Sequence, residues 1–330
     1  MYPQLNGWSI PLTPMRYVLR ADASQSIGTG HVMRSSAIGE ELIERGEEVI
    51  FVGEFSDVPW LALRINNLGL SQILLKEGDY SSNPETDVLI LDSYIIPVEE
   101  EFVKKDRWKR IVVITDYRTP AYEAHLVVRP GLAIDQKSGS MNKTLEGPKY
   151  IPFRKSIRRN RASSTPNKVL EILVVGGGTD SFNFAAAVCE ALKNTEDNFH
   201  ANIFTNQIVL DSLDSRFTAL PIGSKLDWFA ETCQLVFTTA STTSLEFVAR
   251  EVAVGIGCAI DNQAEYYESL TSYGVAIPIG EFVDGSWEIN QIKVQELVNS
   301  KELRERLRQK CSGLIDLQGA KRIVDEILKL

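Results

Sequence analysis

The sequence predicts an α/β fold made of two Rossmann-like domains whose parallel sheets face a central cleft. Short runs rich in Val, Ile and Leu alternate with segments of helical periodicity, which is the pattern of a parallel sheet covered by helices. The alternation lapses once, near the middle of the chain, and then starts again. With 330 residues the chain is also longer than one compact core usually supports. The prediction is therefore two units of similar size.

The first unit begins with the strand YVLRAD, which is followed by a glycine loop and a helix over about residues 32–45. Gly46 is expected to end that helix, and EVIFVG is the next strand. The runs DVLILDS at 87–93 and RIVVITD at 110–116 are continuously apolar and end at carboxylates. Such runs are typical of strands that are buried on both faces.

The periodicity lapses in FRKSIRRNRASSTPNK, a polar and basic stretch that is typical of an interdomain linker. It restarts at VLEILVVGGGTD and continues through ANIFTN, QLVFTTA, TSLEFVARE and VAVGIGCA. We therefore predict a flexible extension, an N-terminal domain, a linker and a C-terminal domain whose last helix packs back on the first, with bounds at 1–14, 15–155, 156–168 and 169–330. Ligands in open parallel sheets bind beyond the carboxyl ends of the strands, so the cleft between the domains is the expected site.

The composition argues against several classes of function. The net charge of −9 offers no basic face for nucleic acid, and no run approaches the ~18 apolar residues of a membrane span. The first fourteen residues lack the regions of a signal peptide. The four cysteines form no CxxC pair and the three histidines no metal-binding motif. We expect a cytoplasmic protein with free thiols, no metal, no nucleic-acid partner and no integral membrane segment.

The stretch SIGTGHVMRSSA places a histidine between a glycine loop and the start of a helix. Gly28 and Gly30 would let the loop approach a ligand closely, and Arg34, one helical turn after His31, could meet a phosphate. Asp22, at the end of the preceding strand, is within reach to orient the imidazole. His31 is then a candidate general base. The alternative is a histidine that only satisfies hydrogen bonds at a helix start.

A second glycine loop, VVGGGTD, leads from a strand into a helix. Its three glycines and the amides of the helix N-terminus could hold a mono- or diphosphate. The alternative is a tight turn in which Asp180 or Ser181 is the helix N-cap. The loop matches neither the dinucleotide-binding pattern nor the P-loop pattern.

Two further junctions between strands and helices carry polar side chains. In TTASTTSLEFVA, Glu246 could accept the two hydroxyls of a ribose, or it could close a capping box that begins at Thr243. In AIDNQAEYYESL, the residues Asp261, Asn262 and Gln263 could meet a ligand. If that junction is purely structural, Asn262 is the expected N-cap.

The segments RADASQSIGTGHVMRSSAI, LILDSY, GPKYIPFR, VVGGGTD and TTASTTSLEFVA…DNQAEYY carry a family resemblance. Between Met15 and about Ile279 their order and spacing resemble the UDP-2,4-diacetamido-2,4,6-trideoxy-β-L-altropyranose hydrolases of pseudaminic acid biosynthesis. The pattern is also similar to the wider group around the spore-coat polysaccharide proteins and the lipid II-forming N-acetylglucosaminyltransferase. The resemblance implies a GT-B fold, a UDP-sugar substrate, no cofactor, and other enzymes of the same sugar pathway as partners.

The resemblance also implies roles for individual residues. His31 would activate water to attack the anomeric carbon and expel UDP with inversion, and Tyr94 would face the sugar. Asp22 completes the predicted catalytic set, while Asp92 and Asp116 either assist or simply end their strands. Taken with the loops above, the predicted substrate-binding residues are Gly28, Gly30, Arg34, Tyr150, Arg154, Gly177, Gly178, Thr179, Ser241, Thr242, Glu246, Asn262 and Gln263.

One position departs from the family pattern. Many relatives read DHYG where this chain reads DSYI, so Ser93 replaces a histidine and Ile95 a glycine. This difference predicts a changed sugar specificity. The closest alternative function is an inverting glycosyltransferase that uses a UDP-amino sugar for cell-surface polysaccharide, with a hydroxyl group in place of water. The third is a protein that binds a nucleotide sugar without turnover.

Overall fold

The computed structural model describes residues 14–115, 120–132, 143–160, 169–196, 198–206 and 214–330. The first thirteen residues of the predicted extension, Asp116 and residues 161–168 of the predicted linker lie outside the described residues. The chain folds around two seven-stranded sheets covered by helices, and the predicted fold class is confirmed.

The first sheet has the order β3-β2-β1-β4-β5-β6-β7, with all neighbouring strands parallel. The strand order reverses between β1 and β4, which opens a crevice at their carboxyl ends. All five residues of β4 are buried, as its apolar sequence predicts. The strands are β1 (Arg16–Arg20), β2 (Glu48–Val52), β3 (Gln72–Leu74), β4 (Asp87–Leu91), β5 (Arg110–Ile114), β6 (Leu126–Arg129) and β7 (Lys143–Glu146).

The second sheet repeats this plan with the order β10-β9-β8-β11-β12-β13-β14. Its last strand differs from the parallel prediction, because β14 pairs antiparallel with β13. Asp284 and Gly285 between them have φ values of 49° and 84°, and two positive φ values favour a tight hairpin turn. The strands are β8 (Leu170–Val175), β9 (Phe199–Phe204), β10 (Phe217–Leu220), β11 (Leu235–Thr239), β12 (Ala253–Cys258), β13 (Ala276–Val283) and β14 (Ser286–Ile289).

Helices cover both faces of the second sheet and one face of the first, whose other face packs against 3-10 turns and loops that carry Phe102, Val103 and Trp108. The helices are α1 (Gly30–Glu44), α2 (Pro59–Asn66), α3 (Phe184–Lys193), α4 (Leu226–Ala230), α5 (Thr242–Ala249), α6 (Ala264–Ser272), α7 (Gln291–Asn299), α8 (Lys301–Cys311) and α9 (Gly319–Ile327). Gly46, at φ +83°, follows the end of α1. The C-terminal helix α9 packs on α1, and its Ile323, Val324 and Ile327 belong to the core of the first sheet.

The cysteines are all free thiols, and three of them are buried. Within the described ranges, none of the helices combines the length and the apolar character needed to cross a bilayer. The features that matter for function are the two glycine loops, which follow β1 and β8, and the segments after β4, β11 and β12. All of these lie at the carboxyl ends of strands, in the cleft between the sheets.

Candidate active site in the interdomain cleft

The centre of the cleft holds a buried histidine–carboxylate pair. His31 is the second residue of α1 and is 7% exposed, and Asp92 follows the end of β4 and is 1% exposed. His31 Nδ1 lies 2.6 Å from Asp92 Oδ1. Arg34 Nη2 lies 3.1 Å from the same nitrogen but closer, at 2.7 Å, to Asp92 Oδ1. Because an ionised carboxylate only accepts hydrogen bonds, we assign the proton to Nδ1, which leaves Nε2 as an acceptor. His31 lines the cavity of the cleft, so this nitrogen can serve as a base.

Arg34 secures the carboxylate of this pair. Its Nε and Nη2 donate to the two oxygens of Asp92 at 3.0 and 2.7 Å. Burial opposes ionisation of Asp92, but the charge of Arg34 and the hydrogen bonds from His31 and Arg34 lower its pKa below the usual value. Arg34 was predicted to meet a phosphate. Its guanidinium donates to Asp92 while the residue also lines the cavity of the cleft, so the phosphate contact stays a prediction.

The orienting carboxylate is therefore Asp92, and the prediction that Asp22 orients the imidazole is wrong. Asp22 accepts a hydrogen bond from the Glu54 amide at 2.8 Å and pairs with Arg20 at 2.6 Å. These contacts hold it beside β2. Asp92 had been considered only as a helper, because the sequence does not reveal that β1 and β4 are neighbours.

Tyr94 covers the other side of the histidine. Its ring meets the His31 ring edge to face, with centroids 4.4 Å apart and an interplanar angle of 73°. Its hydroxyl accepts from Asn262 Nδ2 at 3.3 Å, across the cleft. Ser93, at the position of the family histidine, is buried and its hydroxyl accepts from the Ile95 amide at 3.2 Å. Tyr94 thus lines the cavity beside His31, and its predicted role of facing the sugar stays a prediction.

The two glycine loops touch each other. A Cβ on Gly178 would lie 2.0 Å from Thr29 Oγ1, and one on Gly30 would lie 3.3 Å from Thr242 Oγ1. Trp60 of α2 donates from Nε1 to the carbonyl of Gly178 at 3.1 Å. Only residues without a side chain allow this approach at Gly178. In the described part of the chain the amides of Gly177 and Gly178 donate no hydrogen bond, and both residues line the cavity.

Neither Asp180 nor Ser181 is the N-cap of the helix that follows the second glycine loop. Helix α3 begins at Phe184, after Asn183 in the left-handed conformation. Asp180 turns back under the loop and accepts from the Ala185 amide at 3.3 Å. Burial raises the pKa of Asp180 to about 6. The carboxylate therefore packs behind the loop, and Thr179 lines the cavity.

Helix α5 carries its own capping box, two residues earlier than expected. Ser241 is the N-cap and accepts from the Thr243 amide, and Ser244 completes the reciprocal bond. The alternative role of Glu246 as the closing residue of a box from Thr243 is therefore wrong. Glu246 is paired with Arg154, whose other nitrogen lies 2.7 Å from Asp227 Oδ1. Burial opposes the charge, but these carboxylates raise the pKa of Arg154 above its usual value.

Two connected spaces fill the cleft. The smaller, of about 120 Å³, surrounds His31 and is lined by both glycine loops, the start of α5 and the segment after β12. The larger, of about 720 Å³, shares Thr29, Gly177, Gly178 and the first turn of α5 with the smaller one. It extends past Glu246 to the aromatic rings of Trp60 and Trp228.

The remaining predicted residues divide between these spaces and the cores. Gly28, Ser241, Thr242, Asn262 and Gln263 line the smaller space. Asn262 is not an N-cap, since its amide reaches Tyr94 instead. The Gln263 oxygen accepts from the Ala259 amide at 2.8 Å, which shapes the segment rather than the helix end.

Tyr150 departs from its predicted role in substrate binding. It packs against the core of the first sheet and lines neither space. It lies in the short 3-10 turn Pro148–Tyr150, which packs on α9. Arg154 also lines the larger space, where its guanidinium pairs with Glu246 and Asp227.

Residues that the sequence reasoning missed are Tyr266 of α6 and Trp60 of α2. The Tyr266 hydroxyl accepts from Arg34 Nη1 at 3.2 Å. Its presence in DNQAEYY could have marked it, but only as one of two adjacent tyrosines. Trp60 carries no sequence pattern that separates it from a core aromatic residue.

The fold can be compared with those of known proteins. The MurG of Acinetobacter baumannii superposes with a TM-score of 0.65 at 14% identity, covering 96% of this chain and 100% of the other. The Arabidopsis thaliana protein UGT89C1, complexed with quercetin, gives a TM-score of 0.66 at 12% identity and the same coverage. The spinosyn rhamnosyltransferase SpnG, complexed with thymidine diphosphate, gives 0.61 at 14% identity, covering 94% of this chain and 100% of the other.

The fold is GT-B. In sequence, the chain matches no family model. The uncharacterized protein MJ1062 of Methanocaldococcus jannaschii is 25% identical over 284 residues, which cover 77% of this chain and 58% of that protein's length. The candidate site thus occupies the cleft between the two sheets of a GT-B protein.

Proposed function

We propose that the chain is an enzyme that acts on a nucleotide sugar, and that it displaces the nucleoside diphosphate from the anomeric carbon with inversion. The observation that carries the proposal is the buried His31–Asp92 pair, which faces the glycine loop of the opposite sheet across the cleft. We assign the base to an N-terminal domain of residues 15–155 and the nucleotide to a C-terminal domain of residues 169–330.

The two spaces fit the two parts of such a substrate. The space of about 720 Å³ is large enough for a nucleoside, and Glu246 stands beside it to accept ribose hydroxyls. Gly177 and Gly178, with their backbone amides, and Thr242, with its hydroxyl, line both spaces, and Thr179 lines the smaller one. They offer donors to a diphosphate that links the two parts. The sugar then lies in the smaller space, beside His31 and Tyr94.

The reaction needs one proton transfer and one exchange of bonds. His31 Nε2 takes a proton from the attacking oxygen, and the charge that forms on the imidazole is stabilised by Asp92. The oxygen forms a bond to the anomeric carbon, while the bond to the phosphate oxygen breaks and its electron pair leaves with the diphosphate. A diphosphate is a good leaving group, so the scheme needs no second carboxylic acid of the kind used on ordinary glycosides.

We propose water as the attacking oxygen and a UDP-2,4-diacetamido-2,4,6-trideoxy sugar as the substrate, so that the products are UDP and a free sugar. The sequence segments that resemble the hydrolases support this choice.

The second candidate is an inverting glycosyltransferase that places a hydroxyl group where the hydrolase has water. Its support comes from the GT-B comparisons, since SpnG, which has the same fold, is a rhamnosyltransferase. These comparisons favour a transferase over a hydrolase, and the mechanism of His31 is shared by both.

The deciding experiment measures UDP release from UDP-2,4-diacetamido-2,4,6-trideoxy-L-altrose without any acceptor. The wild type is compared with His31→Ala, and UDP binding is measured for both by calorimetry. Rapid release that depends on His31 supports the hydrolase. Binding without release supports the transferase, which then needs an acceptor. Binding with no release under any acceptor, and no effect of His31→Ala, would leave only a non-catalytic binding protein.

A further inference from the structure

Two side chains of the C-terminal domain contact the catalytic group from opposite sides. On one side Tyr266 accepts from Arg34 Nη1 at 3.2 Å, and on the other Asn262 donates to the Tyr94 hydroxyl at 3.3 Å. Arg34 and Tyr94 in turn contact Asp92 and His31. The base of the first domain is thus tied to the second domain at two points.

The Tyr266 contact reaches the base through a chain of short polar contacts. Arg34 uses Nε and Nη2 for the two oxygens of Asp92 and turns Nη1 to the Tyr266 hydroxyl. A guanidinium is rigid and planar, so a partner at Nη1 fixes the plane in which the other two nitrogens donate. The position of Asp92, and with it the direction of the His31 ring, depends on that plane.

The location of Tyr266 adds a link to the substrate. It belongs to α6, which follows β12 and the turn Asp261–Gln263, and this turn lines the smaller space beside the second glycine loop. Tyr266 and Asn262 therefore contact the base from the same segment that lines the substrate space.

We propose that Tyr266 is a positioning residue, which holds Arg34 against Asp92 from across the cleft and so fixes the direction of the His31 ring. This inference rests on the proposed function of His31. Tyr266 lines the smaller space, and its effect on the base passes through Arg34.

The first test compares Tyr266→Phe with Tyr267→Phe. Tyr267 is the next residue on α6; it packs against the core of the C-terminal domain, and its hydroxyl has no hydrogen-bond partner in the described ranges. We expect Tyr266→Phe to lower kcat about 10-fold, the effect of losing one charge-assisted hydrogen bond, while the Kd for UDP changes less than about twofold. Tyr267→Phe should leave both unchanged. Equal kcat values for the two variants would overturn the proposal.

A double variant distinguishes positioning from direct contact with the substrate. In an Arg34→Gln background, Tyr266→Phe should lower kcat by no more than about a further twofold, because the residue through which it acts has already been removed. If the two losses multiply in full, Tyr266 acts on its own and the inference is wrong.

A readout without turnover keeps this inference separate from the proposed function. The chain has three histidines, so ¹⁵N-histidine NMR gives few signals, and His31→Ala assigns the one of interest. Tyr266→Phe should shift the His31 ring signals, and Tyr267→Phe should not, with His125 and His200 as internal references. An unshifted His31 signal overturns the positioning role whether or not the protein is active. A shifted signal without any UDP release would instead preserve the positioning role and contradict the proposed function.

Discussion

The two glycine loops occupy the same place in two sheets of the same strand order, yet they carry different chemistry. The loop after β1 delivers His31 at the start of α1, where Asp92 and Arg34 hold it. The loop after β8 delivers only backbone amides and the Thr179 hydroxyl to the cleft. Its carboxylate, Asp180, is 2% exposed and lies behind the loop.

This difference shows how one architecture can divide a reaction between its halves. In each sheet the carboxyl end of the central strands is a ligand-binding position. A titratable group with a charged partner can act on a bond there, whereas glycines with free amides can only hold an anion. We infer that the first loop supplies the catalytic base and that the second loop binds the diphosphate. Variants of the two loops test this division.

The largest expected effect is on turnover by His31→Ala. Loss of the base should lower kcat by about 10²–10⁴-fold, and the Kd for UDP should stay within about twofold because the nucleotide contacts belong to the other loop. Release of UDP under single-turnover conditions measures the first quantity and calorimetry the second. His200→Ala is the matched control, since His200 lies on β9 and contacts Glu171 and Thr218 away from the cleft.

If His31→Ala weakens UDP binding as strongly as turnover, the division between the loops is wrong. The first loop would then also hold the nucleotide. Unchanged turnover would remove His31 from the reaction altogether.

The next prediction distinguishes the role of Asp92 from that of Asp22, the carboxylate that the sequence analysis assigned to orient His31. In Asp92→Asn, Arg34 keeps the remaining side-chain oxygen, so the new amide nitrogen turns toward His31. An amide N–H forces the imidazole proton onto Nε2, and the base is lost. We expect a loss of about 10²-fold in kcat with UDP affinity retained.

Asp22→Asn is the control for that measurement and should change kcat less than about threefold. Its partners are the Glu54 amide and Arg20. A larger effect of Asp22→Asn than of Asp92→Asn would restore the assignment made from the sequence and contradict the geometry.

The effect on binding is tested at Glu246. The Gln variant keeps the size of the side chain and leaves Asp227 to pair with Arg154. We expect Glu246→Gln to raise the Kd for UDP about 10-fold, equivalent to about 1.4 kcal/mol, through loss of charged hydrogen bonds to the ribose. The same variant should bind 2′,3′-dideoxy-UDP as the wild type does.

An equal loss for both nucleotides would show that Glu246 acts on the structure of the pocket and not on the ribose. Ser244→Ala offers the complementary pattern. It removes one bond of the α5 capping box, so it should lower stability by about 1 kcal/mol and leave UDP affinity in place.

The sequence predicted the fold well because its signals are local. Continuous apolar runs such as β4 mark strands buried on both faces, and Gly46 marks the end of α1. Among the described strands, β14 runs against the predicted parallel direction, because the hairpin at Asp284 and Gly285 reverses the chain there. Short strands such as β3, β6 and β10 have too few apolar residues to be predicted from the sequence.

The site was predicted less completely because its contacts are not local. His31 could be found from its glycines, but its partner Asp92 is 61 residues away and Tyr266 is 232 residues from Arg34. Which of several strand-end carboxylates meets the histidine depends on strand order, and which tyrosine crosses the cleft depends on how the domains meet. The spacing of residues along the chain reveals neither of these.

The smallest expected effect on turnover and binding comes from Asp180, which packs behind the second glycine loop and is tested through stability instead. Its carboxylate lies against Gly176, where a Cβ would be 1.8 Å from Oδ1, and its Oδ2 is buried without a partner in the described ranges. Burial raises the pKa of Asp180 from 3.8 to about 6. Between these values the folded state binds more protons than the unfolded state, so stability falls as pH rises through that window.

Asp180→Asn removes this cost, since the amide oxygen can still accept from the Ala185 amide. We expect the variant to be more stable than the wild type by about 1–3 kcal/mol above pH 6, with the difference fading toward pH 4. Urea unfolding at pH 4, 5, 6 and 7.5 measures this trend. A constant difference across that range would show that Asp180 ionises as freely as a surface carboxylate. If stability rises as expected but UDP binding weakens, the carboxylate also shapes the loop that holds the diphosphate, and the second loop would then depend on a titratable group as the first one does.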